Sequence, residues 1–284
     1  MCGSIPILRN LEEYYDNDLI TSIEGIFNGS TNYILTKVFE EKKSYADALR
    51  AAQDLGFAES DPSLDVKGFD PKFKLTIAIA HTFGVFLKPE QIINVGIHKI
   101  AAVDLKYARE NNLTIKLVAK AFRQENKIFG FVIPQYVKAD HMLASVRNEY
   151  NAVMVQGAFA EKQIFIGKGA GSYPTGSAVL SDISALTFDY RYEYKKYRQG
   201  EGLEFSNELL LDVVVSFPAG KLISHHDFIA FKGGYQGNGH HYLTGTISLE
   251  KLKEWSEWDG VSVILAPPSQ EVTGQSIRAE LQSA

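Results

Sequence analysis

The sequence predicts an α+β fold, a mixed β-sheet covered by helices with a smaller α+β module behind it. Helical patterns dominate the stretch up to about residue 85, interrupted by one β-branched run. Between Ile115 and Ile166 apolar and polar residues alternate as half-buried strands require. After Asp189 the texture changes, and further strand-like runs surround one short helix.

The elements follow in order. Ile5 to Leu11 runs straight into a helical pattern through Glu12, Glu13 and Tyr14. Ser22–Phe27 reads as a strand, closed by the polar cluster Asn28-Gly29-Ser30-Thr31-Asn32, which can cap a helix from Tyr33 to Glu40. Ser44-Tyr-Ala-Asp47 has the form of a capping box for the next helix, which Gly56 ends. A charged loop follows, then Phe73 to Val85, apolar on most sides and therefore expected to be a buried helix. Lys127–Ile133 and Ala152–Gly157 are strands of the alternating region, for which a mixed sheet with helices on one face accounts.

Arg191 to Gly202 is charged, aromatic and short of aliphatics, the composition of a linker. Beyond it come three strand-like runs, Leu210–Ser216, Phe228–Phe231 and His241–Ile247. A helix from Leu249 to Trp258 and a last strand, Val261–Leu265, complete the order. With its cramped first crossover, that order fits a small ferredoxin-like module. The expected division is a first domain over 1–190, a linker over 191–207, the module over 208–266 and a polar, disordered tail over 267–284.

Composition bounds the function. A chain of 284 residues with 45% hydrophobic and 22% charged residues is an ordinary globular protein of one large or two smaller domains. Its net charge of −5 and lack of a polybasic tract argue against nucleic acid and anionic membranes as partners. No apolar run reaches transmembrane length, and the first residues lack the basic and apolar regions of a signal peptide. The single cysteine, Cys2, allows no intrachain disulfide. A cytoplasmic protein is expected.

The most informative stretch is Leu55 to Lys74, with four carboxylates and three lysines. Asp70 followed by Pro71 reads as an N-cap and first helical residue. Lys74 lies four residues on, so both side chains share one face of the first turn. Glu59 and Asp65 precede that helix end within reach of it. Such a cluster can hold an ammonium group by its carboxylates while a lysine handles a proton. The same residue types also make ordinary helix starts and solvated surface pairs, and local spacing leaves both readings open.

Other motifs weigh less. Gly167-Lys-Gly169-Ala-Gly171-Ser172 follows a strand and precedes a helix opened by Pro174, a context in which glycine turns bring backbone close to a cofactor. Its third glycine is out of place for a dinucleotide fingerprint, and it lacks the Lys-Ser/Thr pair of a nucleotide P-loop. His225-His226 and His240-His241 would point to opposite faces if on strands, which disfavours zinc. His81, inside an apolar helix, is expected to be a satisfied core histidine.

Taken together, the motifs resemble homoserine dehydrogenase, in its catalytic half. Four segments match in order: Gly3-Ser-Ile-Pro-Ile, the run Glu24 to Ile34, Leu55 to Lys74, and Gly167 to Asp182 with Pro174-Thr175. The resemblance implies reversible reduction of aspartate semialdehyde to homoserine with NADP or NAD, in the biosynthesis of threonine and methionine. It implies Lys74 as proton donor or acceptor at the substrate oxygen and Asp70 as the residue that positions it. Glu59, Asp65 and Asp70 are then substrate-binding residues, with Glu59, Gly169 and Gly171 beside the cofactor.

The resemblance places the family's nucleotide-binding domain upstream of residue 1, so that the chain as written is expected to lack it. Carbonyls of Gly3 and Ile5 correspond to part of a monovalent-cation site. Met1 stands where a valine is usual, and Ser30 replaces a threonine. The module after residue 203 occupies the place of a regulatory ACT domain, which it matches loosely. Relatives dimerise through the sheet, and a homodimer is implied. The alternative is a non-catalytic descendant that binds homoserine-like amino acids or acts as a dimerising regulatory subunit.

Overall fold

The computed structural model describes residues 1–237 and 239–267; the tail expected to be disordered lies, from 268 on, outside the described residues. The chain opens with α1 (Ile7–Glu12), β1 (Ile20–Ile26), α2 (Gly29–Glu40) and α3 (Tyr45–Asp54). A one-turn helix, α4 (Ser63–Val66), leads into α5 (Phe69–Phe83), the two-residue strand β2 (Ile93–Asn94) and α6 (Ala102–Glu110). Four strands follow, β3 (Leu113–Gln124), β4 (Lys127–Lys138), β5 (Tyr150–Gly157) and β6 (Lys162–Lys168), and then α7 (Ser172–Leu186). The rest is β7 (Glu204–Phe205), β8 (Leu210–Pro218), β9 (Ala230–Gln236), β10 (His240–Ser248), α8 (Leu249–Glu257) and β11 (Ser262–Leu265).

Local chemistry sets the helix ends. Asn28 caps α2, its Oδ1 accepting from the Thr31 N–H at 2.8 Å, so the helix starts four residues earlier than the apolar pattern suggests. Ser44 caps α3: its Oγ accepts from the Asp47 N–H at 3.1 Å and donates to Asp47 Oδ2 at 2.6 Å. The start of α5 corrects the sequence reading. Gly68, not Asp70, precedes the helix, at φ +80°, a left-handed conformation that glycine adopts without steric cost. Asp70 is the second helical residue, and its carboxylate is spent on tertiary contacts.

One mixed sheet runs through both halves of the described chain, in the order β6-β5-β1-β3-β4-β11-β8-β10-β9. The long β3–β4 hairpin pairs Leu113 with Lys138 at one end and Gln124 with Lys127 at the other. Three short strands line the far edge of β4 in parallel, β7 at Lys127, β2 at Phe131 and β11 at Gln135. That arrangement covers an edge which would otherwise invite pairing with another chain.

The last four strands lie in the order β11-β8-β10-β9, each antiparallel to its neighbour, which is the ferredoxin-like order. Its first crossover carries only a 3₁₀ turn, His225–Asp227, so the first histidine pair is not on a strand as assumed.

Alternate residues of the sheet feed separate clusters on its two faces. Ile115, Leu117, Ala119 and Val132 pack with Ile34, Leu75 and Ile79 of α2 and α5. Phe131, Ile133, Val213 and Val215 pack with Leu252 and Trp255 of α8. The helix α8 therefore covers the second face only at the β4, β11 and β8 end, and the one-face picture holds for α2 and α5; behind β1, β3 and β5, Ile26, Val118 and Met154 pack with Leu143 and Val146.

The stretch 191–207 is packed rather than loose. Its 3₁₀ segment Lys195–Gly200 buries Lys196 to 1% exposure, with Nζ donating to Tyr15 O at 2.5 Å. Tyr194 stacks on His81 at 4.7 Å between centroids, and Tyr192 OH lies 2.5 Å from His81 Nε2. The aromatic composition read as linker is the lid of a buried polar cluster. His81 is a satisfied core histidine, fully buried, with Glu12 on its other ring nitrogen. Among the described residues no helix is long and apolar enough to cross a membrane.

Candidate active site

The end of β1 and the start of α5 bring the charged loop together. Asn28 spends its carbonyl oxygen on the α2 cap, accepting also from Thr31 Oγ1 at 2.9 Å. Its amide nitrogen is thereby turned outward, donating to Asp65 Oδ1 at 2.6 Å and to Asp70 Oδ2 at 2.8 Å. One helical turn past Asp70, Lys74 Nζ donates to Asp70 Oδ2 at 2.7 Å and to the Phe27 carbonyl at 2.9 Å. An ammonium has three N–H donors, so one remains for another acceptor. Glu59 is exposed on the loop before α4, whose backbone is tied down by Gln53 Nε2 at 3.0 Å from Glu59 O. Ser30, at the start of α2, also donates to Phe57 O.

The electrostatics are unbalanced. Asp65 and Asp70 share one neutral amide, and a single lysine faces them. Burial pushes the Asp65 carboxyl up; the Asn28 hydrogen bond opposes this, Asp70 and Glu59 add to it, and Lys74 opposes it. The Lys74–Asp70 pair is itself partly exposed, 24% and 31% by side chain, and such pairs contribute at most about 1 kcal/mol to stability. The cluster is thus poorly explained as a stabilising device. A cationic group placed among Glu59, Asp65 and Asp70 would relieve it.

The glycine turn follows β6, which pairs with β5 beside β1. Asn151, opposite Gly167 in the β5–β6 ladder, is fully buried. A Cβ on Gly169 would come within 2.3 Å of its Oδ1, so only glycine fits there. Gly171 is exposed at φ +111°, and a Cβ there would make only ordinary contact with Pro174 Cδ, at 3.6 Å. Gly3 is wedged against Lys168 O, where a Cβ would lie at 2.3 Å, and Ser4 N donates to the same carbonyl at 3.1 Å. Cys2 is buried beside Asn151, and burial pushes its thiol up, making it an inert residue.

The sequence-derived residues therefore fall into two groups. Glu59, Asp65, Asp70 and Lys74 belong to one connected loop and helix, three of them joined through Asn28 and Lys74. Gly169 and Gly171 form the second group, with Gly3 against it. Ile5 O already accepts from the Ile7 N–H at 2.8 Å, and two carbonyls alone do not make the oxygen cage a cation needs.

Sequence reasoning missed two residues. Asn28 was read as a cap and no more, although a cap that spends its oxygen must aim its NH₂ elsewhere. Asn151 sits in a strand-like run, and no local signal marks it. Neither polar atom of its side chain has a hydrogen-bond partner among the described residues.

Comparison with known proteins identifies a family for most of the chain. The family model described as homoserine dehydrogenase matches residues 6–184. The homoserine dehydrogenase of Bacillus subtilis is 42% identical over 191 residues, 67% of this chain and 44% of the relative. That of Lactococcus lactis is 40% identical over 183 residues, 64% of this chain and 43% of the relative. The chain spans less than half the length of these curated relatives. A homoserine dehydrogenase structure from Thiobacillus denitrificans superposes with a TM-score of 0.79 at 28% identity, covering 93% of this chain and 68% of that one. A hyperthermophilic archaeal homoserine dehydrogenase in complex with NADPH gives a TM-score of 0.57 at 30% identity, over 67% of this chain and 54% of that one.

Proposed function

The chain belongs to the homoserine dehydrogenase family, and from that premise we propose that it carries the substrate-binding and proton-transfer half of the reversible reduction of aspartate semialdehyde to homoserine. The observation that carries this reading is the Asp65–Asn28–Asp70–Lys74 network, which combines excess negative charge with one lysine held at two of its three donors. Glu59 and Asp65 receive the substrate ammonium. Asp70 and the Phe27 carbonyl hold Lys74, whose remaining N–H donates to the carbonyl oxygen as the adjacent carbon is reduced. In the reverse direction Lys74 takes that proton back from the alcohol. NADP or NAD, when bound, supplies or accepts the hydride, with Glu59, Gly169 and Gly171 as the nearest groups of this chain.

α7 supports the need for a further protein surface. None of its residues is buried, and it exposes Val179, Leu180, Ile183 and Leu186. We assign that face to a nucleotide-binding domain. The test combines the chain with such a domain from the family. Homoserine-dependent reduction of NADP, with α7 amides protected from hydrogen exchange, is expected. A chain that neither binds homoserine nor turns it over in that mixture contradicts the proposal.

The raised Asp65 carboxyl gives a signed expectation. Its folded-state pKa lies above the ordinary value, so ionisation costs the folded chain stability above the folded pKa and costs nothing below the unfolded one. Asp65→Asn is expected to melt higher than the wild type at pH 7, with the gain vanishing as pH falls into the ordinary carboxylate range. The same variant should bind homoserine about 10- to 100-fold more weakly, as loss of a charged hydrogen bond does. A variant that melts lower at pH 7, or that keeps its affinity, contradicts this role.

Self-association belongs to the same reading. Among the described residues β6 pairs only with β5 and exposes Ile166, leaving a sheet edge open. A homodimer through this sheet is expected by light scattering at micromolar concentration, and a monomer there refutes it.

A further inference from the structure

A second concavity lies away from the Asp70–Lys74 network, between the start of α5 and the ferredoxin-like module. It has a volume of about 420 Å³ and is walled by Lys67, Lys72 and Lys99 on one side and by Lys253 of α8 on the other. Its acids are Glu90 and Glu257, and His98 also lines it. Four lysines against two glutamates make a basic cleft in a chain whose net charge is −5. That size suits a small molecule.

Lys72 is the built part of the cleft. Its residue is only 9% exposed, yet among the described residues no carboxylate lies within ion-pair distance of its Nζ, which rests 4.9 Å from the centroid of the Phe69 ring. Lys99 is already committed, donating to Ser256 O at 2.6 Å and Trp258 O at 3.0 Å, and so fixes the end of α8 against the first domain. The walls are therefore joined by hydrogen bonds that hold the cleft's width.

We propose that this cleft binds a small molecule carrying two or more acidic groups, phosphoryl or carboxylate, between Lys67 and Lys72 on one wall and Lys253 on the other. Burial and neighbouring charges act on two titrating groups of the cleft. Burial pushes the Lys72 ammonium down, with Glu90 opposing and a smaller effect of Lys253 adding to it. The His98 imidazole is pushed down by burial, then by Lys99 and Lys67, against a hydrogen bond to Val66 O. An anion between the walls relieves both. Lys72 follows Asp70 by two residues on α5, so it faces away from the side that Asp70 and Lys74 share. The site is separate from the substrate network and rests on the cleft alone.

The test is calorimetric titration of the full chain with pyrophosphate in one arm and citrate in the other, at physiological ionic strength. Saturable one-to-one binding in at least one arm is expected, and the arm that binds tells phosphoryl from carboxylate ligands. Lys253→Gln, at an exposed residue of α8, should weaken that binding at least tenfold, and Lys72→Gln should do the same. Lys138→Gln, outside the cleft, should leave it unchanged. Failure of both probes to saturate, or wild-type affinity in Lys253→Gln, overturns the proposal.

Discussion

Replacing Lys74 by alanine is expected to lower kcat for homoserine oxidation about 10²- to 10⁴-fold in the chain combined with a nucleotide-binding domain, the range typical of losing a general acid–base group. The effect should fall on kcat more than on KM. Glu59 and Asp65 remain to hold the substrate ammonium, while the proton at the reacting oxygen loses its carrier. Lys74 is fixed by Asp70 at 2.7 Å and by the Phe27 carbonyl at 2.9 Å, so the deletion leaves an Asp70 carboxylate with only Asn28 as partner. Folding should survive it, because the lost ion pair is partly exposed and contributes little to stability. A melting curve close to the wild type alongside lost turnover separates a chemical role from a structural one.

Trp255→Ala is expected to cost about 3–5 kcal/mol of stability, the usual range for removing a large buried aromatic. Trp255 is 1% exposed in the core that joins α8 to β4 and β8, with the Phe228 ring 5.4 Å away. The loss should appear as a single cooperative transition, not as early melting of the module with the rest intact. The reason is the shared sheet: β11 pairs with β8 on one side and meets β4 on the other, and Lys99 ties down the end of α8. Chemical denaturation followed by near- and far-UV circular dichroism measures both. Two well-separated transitions would show that the module is an independent unit.

Much of this structure was legible in the residues, and what was not follows a pattern. Local chemistry read well where it decides the outcome. Ser44 caps α3 and the alternating stretch forms two hairpins, β3–β4 and β5–β6, on either side of β1. Strand order in the module could be proposed from the sequence of elements alone. Tertiary competition defeated the local reading elsewhere. Asp70 is a competent cap by type, but Asn28 and Lys74 claim its carboxylate, and Gly68 supplies the turn instead. The tyrosines of 190–197 look like linker residues until the buried His81 is known to need a lid. Strands of two residues, β2 and β7, exist only because β4 offers an open edge. No local period announces them.

The candidate site divides the same way. Glu59, Asp65, Asp70 and Lys74 stand out in sequence because charge is concentrated there. Asn28 and Asn151 are neutral, and their importance comes from where β1 ends and β5 begins. A buried amide with unpaired atoms, such as that of Asn151, is visible only once the neighbouring glycines are folded around it.

The most direct measurement is chemical rescue of Lys74→Ala by small primary amines in homoserine oxidation. If Lys74 carries the proton, turnover should return with added methylamine, saturate with its concentration, and vary with amine basicity across a series. KM for homoserine should stay near its wild-type value throughout. Wild-type turnover in Lys74→Ala without any amine would show that the proton travels by another group and that the Asp70–Lys74 pair is not the acid–base centre.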